Sequence, residues 1–439
     1  MFSFLNTDDP SDLQRRSFMA KVASSVLGVN ILGSASGSGL LGSSGLVSAA
    51  TPVFQPKGKA KRVICLFMRG AMSQFETFAP KPGTKSQGET KTIKTNVAGV
   101  RFAQHVPMMA KHMDKLAVIR SMNTETGVHE EAEYTSYTGY RKLASTSHPS
   151  LGPWIHRLSG RDNPVLPATV AINGGSNYPG AGYLGSQYTP VPVGNPNKGL
   201  QNIKPPEYLS EPQFNHRMDL VNQFDKKFRK KTKNSTVAGY TELYDEAINL
   251  MRSEDLKAFD INLENKKLRE TYGNNSFGQG CLLARRLAQG GVKFIQVGMG
   301  GWDDHRSLFK SLPKRARSMD QGMAALLSDL KRLGMLDETL VVLTTEFGRR
   351  PAINSAAGRD HNPGAYCSVL AGGGITGGVV YGETDETGRT VEDDPVTIGD
   401  FNATIAYAMG VDHEKEITSP DDRPFTLGNG GDPVTDLFG

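Results

Sequence analysis

Six apolar runs set the rhythm of the chain. Residues 62–68 (RVICLFM), 116–122 (LAVIRSM), 168–172 (ATVAI), 292–298 (VKFIQVG), 340–345 (LVVLTT) and 365–374 (AYCSVLAGGG) are short, mostly apolar and without strict alternation. Such runs predict strands covered on both faces. Helical patterns fall between them. Residues 281–291 (CLLARRLAQGG) read as a helix stopped by glycines. Across 318–333, Met319, Met323, Leu326, Leu327, Leu330 and Leu333 recur at helical spacing, and Gly334 follows as a stop. Residues 397–410 form a third pattern, with Thr397 and Asp400 at capping-box spacing and Gly410 at its end. Strands alternating with helices predict an α/β fold with a mostly parallel sheet and helices on both faces. Functional residues in such sheets gather at the carboxyl ends of the strands.

The pattern lapses in two places. Residues 173–215 are rich in Gly, Pro, Asn and Tyr and read as a surface excursion that runs on to about residue 235. Within it, 225–234 (DKKFRKKTKN) carries six basic residues. A solvated helix face explains that run, with an anionic polymer as the alternative partner. At the start, Arg15 and Arg16 precede Phe18 and Lys21, a Gly/Ser-rich stretch spans Val22 to Val47, and VSAAT follows. This is the pattern of a twin-arginine export signal cleaved near Ala49 or Ala50. The stretch holds too many Gly and Ser for a stable membrane span. The expected organisation is therefore a signal over 1–50 and a single domain over 51–439, exported to the periplasm or beyond.

Composition narrows the classes. A hydrophobic content of 38% over 439 residues supports a large core. A net charge of +5 is too dilute to imply nucleic acid, and no nucleic-acid-binding motif accompanies it. Cys65, Cys281 and Cys367 lie in apolar contexts and outside any CxxC, so they read as core residues.

Four clusters can carry chemistry. After the first strand come Arg69, Ser73, Glu76 and Thr77, with Gly70 and Ala71 permitting a tight turn. After the second come His129, Glu130 and Glu131 at a helix start, where acids also serve the dipole. After the strand 292–298, Asp303, Asp304 and His305 follow three glycines and a tryptophan; Asp-x-His offers one ion a mixed oxygen and nitrogen set. After the strand 340–345 come Glu346 and Phe347, then Asp360 and His361 in GRDHNP, with Arg349, Arg350 and Arg359 close in sequence. Arginine is the usual partner for planar anions, and Asp360 could equally pair with one of these arginines.

Together, HEEAEYTSYTGYR, CLLARRLAQGGVKFIQV, GGWDDH, LVVLTTEFGRRP and GRDHNP resemble the DUF1501 family, whose members are exported proteins. That family in turn looks like a distant branch of the alkaline phosphatase and sulfatase superfamily, which implies a three-layer αβα sandwich. The departures are specific. Where the superfamily has Asp-His this chain has Glu346-Phe347, and at the nucleophile position it has His129, Glu130 or Glu131. Arg69 stands where a metal-binding Asp is expected. The family's Gly-Pro-Ser turn is here Ala71-Met72-Ser73.

The expected function is a metal-dependent hydrolase of a sulfate or phosphate ester, acting through metal-activated water rather than a covalent nucleophile. Asp303, His305 and His361 would hold one divalent ion rather than two, with His129 and Glu346 as additions. The ion could be zinc, manganese, calcium or magnesium. Glu130 or Glu131 would be the general base and Ser73 a further nucleophile candidate. Arg69, Arg349 and Arg359 would hold the anion. The partner would be an anionic small molecule or a sulfated or phosphorylated polymer. The alternative is a non-catalytic binding or envelope-associated protein on a degenerate hydrolase scaffold.

Overall fold

The computed structural model describes residues 58–201 and 246–439, together with isolated positions between 210 and 223. The twin-arginine segment and the basic run 225–234 lie outside the described residues. The chain divides into two units, of which the larger comprises 56–199 with 252–439. The larger unit carries the sheet and all the chemistry below.

Eight strands build that sheet: β1 (Arg62–Met68), β2 (Leu116–Met122), β3 (Thr169–Ile172), β4 (Val191–Val193), β5 (Phe294–Met299), β6 (Thr339–Thr344), β7 (Tyr366–Ala371) and β8 (Val379–Tyr381). Their spatial order is β8-β2-β7-β6-β1-β5-β3-β4. Only β7 runs antiparallel to its neighbours. The central strands β1, β5 and β6 are almost wholly buried, as their unbroken apolar sequences require. The Gly/Pro/Tyr-rich excursion was expected to lie outside the sheet, yet it contributes the edge strand β4, whose central Pro192 suits an edge.

Among the described residues, six helices of seven or more residues accompany it: α1 (His129–Thr138), α2 (Leu151–Ser159), α3 (Lys266–Tyr272), α4 (Ser276–Gln289), α5 (Leu308–Arg332) and α6 (Ile398–Ala408). They cover both faces. A Cβ at Gly280 of α4 would meet Val297 Cγ1 at 2.9 Å and Ile172 Cγ2 at 3.4 Å. A Cβ at Gly152 of α2 would meet Phe294 Cδ1 at 2.8 Å and Thr169 Cγ2 at 3.2 Å. Positions three apart on a strand point to opposite faces, so α2 and α4 sandwich the sheet. This is the three-layer αβα arrangement. Both glycines let a helix backbone approach more closely than any side chain would allow.

The expected helical stripe is real: Met319, Met323, Leu326, Leu327 and Leu330 are all fully buried in α5, while Leu333 closes the helix half-buried. The capping box at α6 forms in both directions, Asp400 N to Thr397 Oγ1 at 3.2 Å and Thr397 N to Asp400 Oδ2 at 2.9 Å. The three cysteines are buried and free. Among the described residues no helix is long and apolar enough to cross a membrane.

Asp320 of α5 is buried and accepts from Met108 N (2.9 Å) and Met109 N (2.7 Å), capping the turn Pro107–Ala110. Burial pushes its carboxyl up from 3.8 to about 6. In Asp320→Ala one buried and one part-buried N–H lose their acceptor, so unfolding free energy should fall by about 1–3 kcal/mol. The folded carboxyl takes its proton at higher pH than the unfolded one. Proton uptake therefore favours the folded state as pH falls from 7 to 5, and the gap between wild type and Asp320→Ala should widen by about 1 kcal/mol. Urea denaturation midpoints at the two pH values measure both effects; a gap that narrows would contradict this account.

Candidate metal centre

The carboxyl ends of the central strands lie level with one another. Met68 of β1 is in register with Met299 of β5, and Phe67 with Thr344 of β6. The loops that leave these ends therefore meet above one edge of the sheet. Gly70 follows β1 with a φ of +104°, and a Cβ there would come 2.8 Å from Asp303 N. Only glycine suits both the backbone angle and the approach. Trp302 N donates to Arg69 O at 3.1 Å, which fixes the loop after β5 against the turn after β1. After β6, Gly348–Arg349 pairs antiparallel with His361–Asn362, with Arg349 opposite His361. That ribbon returns His361 to the same edge, and β2 delivers His129 at the first residue of α1.

Four side chains converge. Asp303 Oδ1 lies 3.4 Å from His129 Nε2, 3.1 Å from His305 Nε2 and 3.2 Å from His361 Nε2. His305 Nε2 and His361 Nε2 are 2.8 Å apart. Ligand atoms of His129, Asp303 and His361 all fall within 4.8 Å of one another. Each imidazole is anchored from behind through Nδ1. His129 Nδ1 donates to Glu346 Oε1 at 2.8 Å, His305 Nδ1 to Asp360 Oδ1 at 2.9 Å, and His361 Nδ1 to Gly127 O at 2.7 Å. That assignment leaves three Nε2 lone pairs and a carboxylate oxygen aimed at one region. His129 Nε2 is buried without a hydrogen-bond partner. Lone pairs brought this close repel unless a proton or a cation lies among them. An outer carboxylate or carbonyl on each histidine is how metal-binding imidazoles are oriented.

The electrostatics follow the same geometry. Burial opposes ionisation of Asp303, but the hydrogen bond and charge of Arg349 outweigh it and hold the carboxyl well below its usual range. The hydrogen bond to Glu346 raises His129 above its ordinary 6.5 despite burial. Burial pushes His361 down. Asp360 is lowered by its bonds to His305 and Asn354.

Several expectations change. Glu346 is not placed as a ligand. It is fully buried, accepts from Gly70 N at 2.7 Å, and stands behind His129 on the Nδ1 side. Phe347, also fully buried, lies under two of the imidazoles, with ring centroids 4.9 Å from His129 and 4.7 Å from His361. It gives the rings a packing surface and offers no ligand atom. Arg349 is buried, and its nitrogens are spent on Ala71 O, Arg359 O, Gly70 O, Trp302 O and Asp303. Arg359 is equally buried and saturated by Glu76, Ser86 O, Arg350 O and Pro351 O. Buried and engaged in this way, neither is open to an external anion. Ser73 is buried and donates to Glu76, so it is not a poised nucleophile. Glu130 is exposed and paired with Lys142 at 2.6 Å, and Glu131 is exposed and bonded to Thr126 at 3.1 Å, which leaves both at the surface rather than acting as bases.

Arg69 stands apart from the other two arginines. Its guanidinium has no hydrogen-bond or ion-pair partner among the described residues, and its Nε is buried. It lies in a glycine-lined slot: a Cβ at Gly175 would fall 1.5 Å from Nη1, and one at Gly298 3.5 Å from Nε. One residue escaped the sequence reading. Glu133 is one helical turn beyond His129, buried, and bonded to Asn177 at 3.1 Å. Burial, and then the charge of Glu346, raise its pKa. The i, i+4 spacing from His129 would have pointed to it rather than to Glu130 or Glu131.

Residues 60–438 match the family described as "Protein of unknown function (DUF1501)". No curated protein matches the chain. Among solved structures, a protein of the alkaline phosphatase superfamily from Vibrio parahaemolyticus is similar at 12% identity, covering 87% of this chain and 71% of that one, with a TM-score of 0.38. The PsFucS1 sulfatase from Pseudoalteromonas sp. is similar at 12% identity over 98% and 76% of the two chains, TM-score 0.38. A mutant of the alkaline phosphatase PafA is similar at 9% identity over 89% and 100%, TM-score 0.42.

In metal-free protein the His129–Glu346 pair contributes stability fully below the unfolded histidine pKa, and this is lost as pH rises through the higher folded value. Glu346→Gln removes the charge behind the ring. His129 should then titrate at lower pH than in wild type, as followed by imidazole resonances in NMR. An unchanged titration would show that Glu346 does not hold the ring.

Proposed function

Taking as given that the chain belongs to the DUF1501 family, we propose that it is a metal-dependent hydrolase of a sulfate or phosphate ester. The observation that carries this reading is the convergence of three Nε2 atoms on Asp303 Oδ1, each imidazole anchored through Nδ1. His129, Asp303, His305 and His361 would hold one divalent ion. Three nitrogens and one oxygen favour zinc or manganese over calcium or magnesium, which prefer all-oxygen shells. A bound ion supplies Lewis acidity and lowers the pKa of a water it holds.

The remaining chemistry belongs to the chain itself. Arg69, unpaired at the end of β1, orients the anionic group and balances its charge. Glu133, kept protonated to higher pH than an ordinary glutamate, can donate to a leaving oxygen. Glu346, Asp360 and Gly127 O hold the imidazoles in the tautomer that leaves Nε2 free. Phe347 keeps water from the lower side of two rings.

Purified wild type should retain about one divalent ion per chain by elemental analysis, and Asp303→Ala and His361→Ala should each weaken it by about 100-fold or more. With the ion restored, wild type should hydrolyse p-nitrophenyl sulfate or phosphate, and Asp303→Ala should not. Retained metal without turnover of either ester would leave the non-catalytic binding reading in its place.

The Arg15-Arg16 pair and the Ala49–Ala50 segment support export by the twin-arginine route. Replacing both arginines with lysine should retain the precursor in the cytoplasm, as read by cell fractionation. Unaltered export would exclude that route.

A further inference from the structure

The Gly/Pro/Tyr-rich excursion begins beside Arg69. Its first residues, Asn173 to Gly180, leave the end of β3 and bring Gly175 against the guanidinium. We infer that this segment is a positioning loop: it keeps Arg69 unpaired and open as a subsite for a tetrahedral oxyanion, Gly175 by leaving room for the guanidinium and Asn177 by holding Glu133 away from it. The inference rests on the reading of Arg69 as the residue that binds the anionic group.

The loop is pinned on both sides of the guanidinium. Before it, Asn173 N donates to Val193 O at 2.9 Å and Asn173 Nδ2 to Ser276 Oγ at 3.0 Å. Beyond it, Asn177 Nδ2 donates to Glu133 Oε2 at 3.1 Å, and Ser150 N and Oγ both donate to Gly180 O at 2.9 Å. The Tyr178 ring meets Tyr137 of α1 edge-on at 5.0 Å. These anchors leave a short span centred on Gly175 beside Arg69.

Gly175 is where the span touches. A Cβ there would fall 1.5 Å from Arg69 Nη1 and 2.7 Å from Cζ, so any side chain at this position displaces the guanidinium. Beside Nη2 lies Gly300, where a Cβ would sit 3.7 Å away, an ordinary contact. Gly175 and Gly300 are exposed, while Arg69 is half-buried with Nε enclosed. The open end of the guanidinium is therefore its Nη1 and Nη2 pair, a fork that suits two oxygens of one tetrahedral group.

Asn177 deals with a competing carboxylate. Glu133 is close enough to sense Arg69: burial and then Glu346 raise its pKa, while Asn177 and then Arg69 pull it back. A carboxylate this near would be the natural partner of a free guanidinium. Its Oε2 is instead turned to the Asn177 amide, and Arg69 keeps no partner among the described residues. The amide is neutral, so it holds the carboxyl without placing a second charge where the anion must sit.

Isothermal titration calorimetry of the purified protein with inorganic sulfate and inorganic phosphate tests this through two double-mutant cycles. Wild type should bind at least one of the two saturably. Gly175→Ala should weaken that binding about tenfold or more, the effect of a lost charge-assisted hydrogen bond. In an Arg69→Lys background, which has no Nη1 to strike, the same change should weaken it less than about twofold. Backbone strain at Gly175, whose φ is +83°, is present in both backgrounds and cancels. Gly300→Ala should leave binding within about twofold, as its ordinary contact requires. Asn177→Ala should weaken binding about fivefold by releasing Glu133 to Arg69, and in a Glu133→Gln background it should have no effect. Thermal midpoints identify folded variants; if Gly175→Ala does not fold, the Asn177 cycle decides alone. Absence of oxyanion binding by wild type, or losses that are equal in both backgrounds, would overturn the inference. A protein that shows these binding differences but holds no metal and turns over no ester would support the loop's role and strike the hydrolase reading alone.

Discussion

The buried guanidinium of Arg349 ties the functional edge of the sheet together. It spans three strand ends: its donors reach Gly70 O and Ala71 O after β1, Trp302 O and Asp303 after β5, and Arg359 O on the returning loop after β6. Arginine suits this role because its donors form a fixed fork and its charge is not lost on burial. Asp303 supplies the compensating charge, and the pair keeps its carboxylate ionised where three imidazoles meet. A lysine would keep the charge and lose most of the carbonyls. They would then be buried without donors, and the three loops would lose their common reference.

The candidate metal centre is therefore built in two layers of differing tolerance. The inner atoms, three Nε2 and one carboxylate oxygen, are sparse and partly open. Behind them, Glu346, Asp360, Gly127 O and Phe347 fix each ring by hydrogen bond or contact. The glutamate-phenylalanine pair in TTEFGRRP belongs to this outer layer. Phe347 fills space below the rings, while Glu346 reaches both Gly70 N and His129.

Arginine shows the same division of labour. Three arginines share this edge of the sheet, and two are consumed in holding loops together. Of the three, Arg69 alone has no hydrogen-bond partner for its guanidinium among the described residues, in a slot where glycines have removed the side chains that would crowd it. Sequence proximity to an acidic motif made Arg349 and Arg359 look equivalent to Arg69; burial and saturation separate them. Likewise Glu130 and Glu131 follow His129 directly, but adjacent helical positions point apart, and the residue sharing its side is Glu133.

The sequence by itself determined the layers. Apolar runs at 62–68, 116–122 and 340–345 could only be covered strands, and the α5 stripe could only face a core, because local periodicity reports which sides of an element avoid water. It also named the four residues that converge, since acids and imidazoles collected just after predicted strands. What it left open were the partners of each group. His129 and Glu346 are 217 residues apart, and Arg349 and Asp303 are 46 apart. Whether a carboxylate binds an ion, caps a helix or supports a histidine depends on which loops the sheet order brings together. Hydrogen bonds are short-ranged and directional, so only the tertiary structure decides who meets whom.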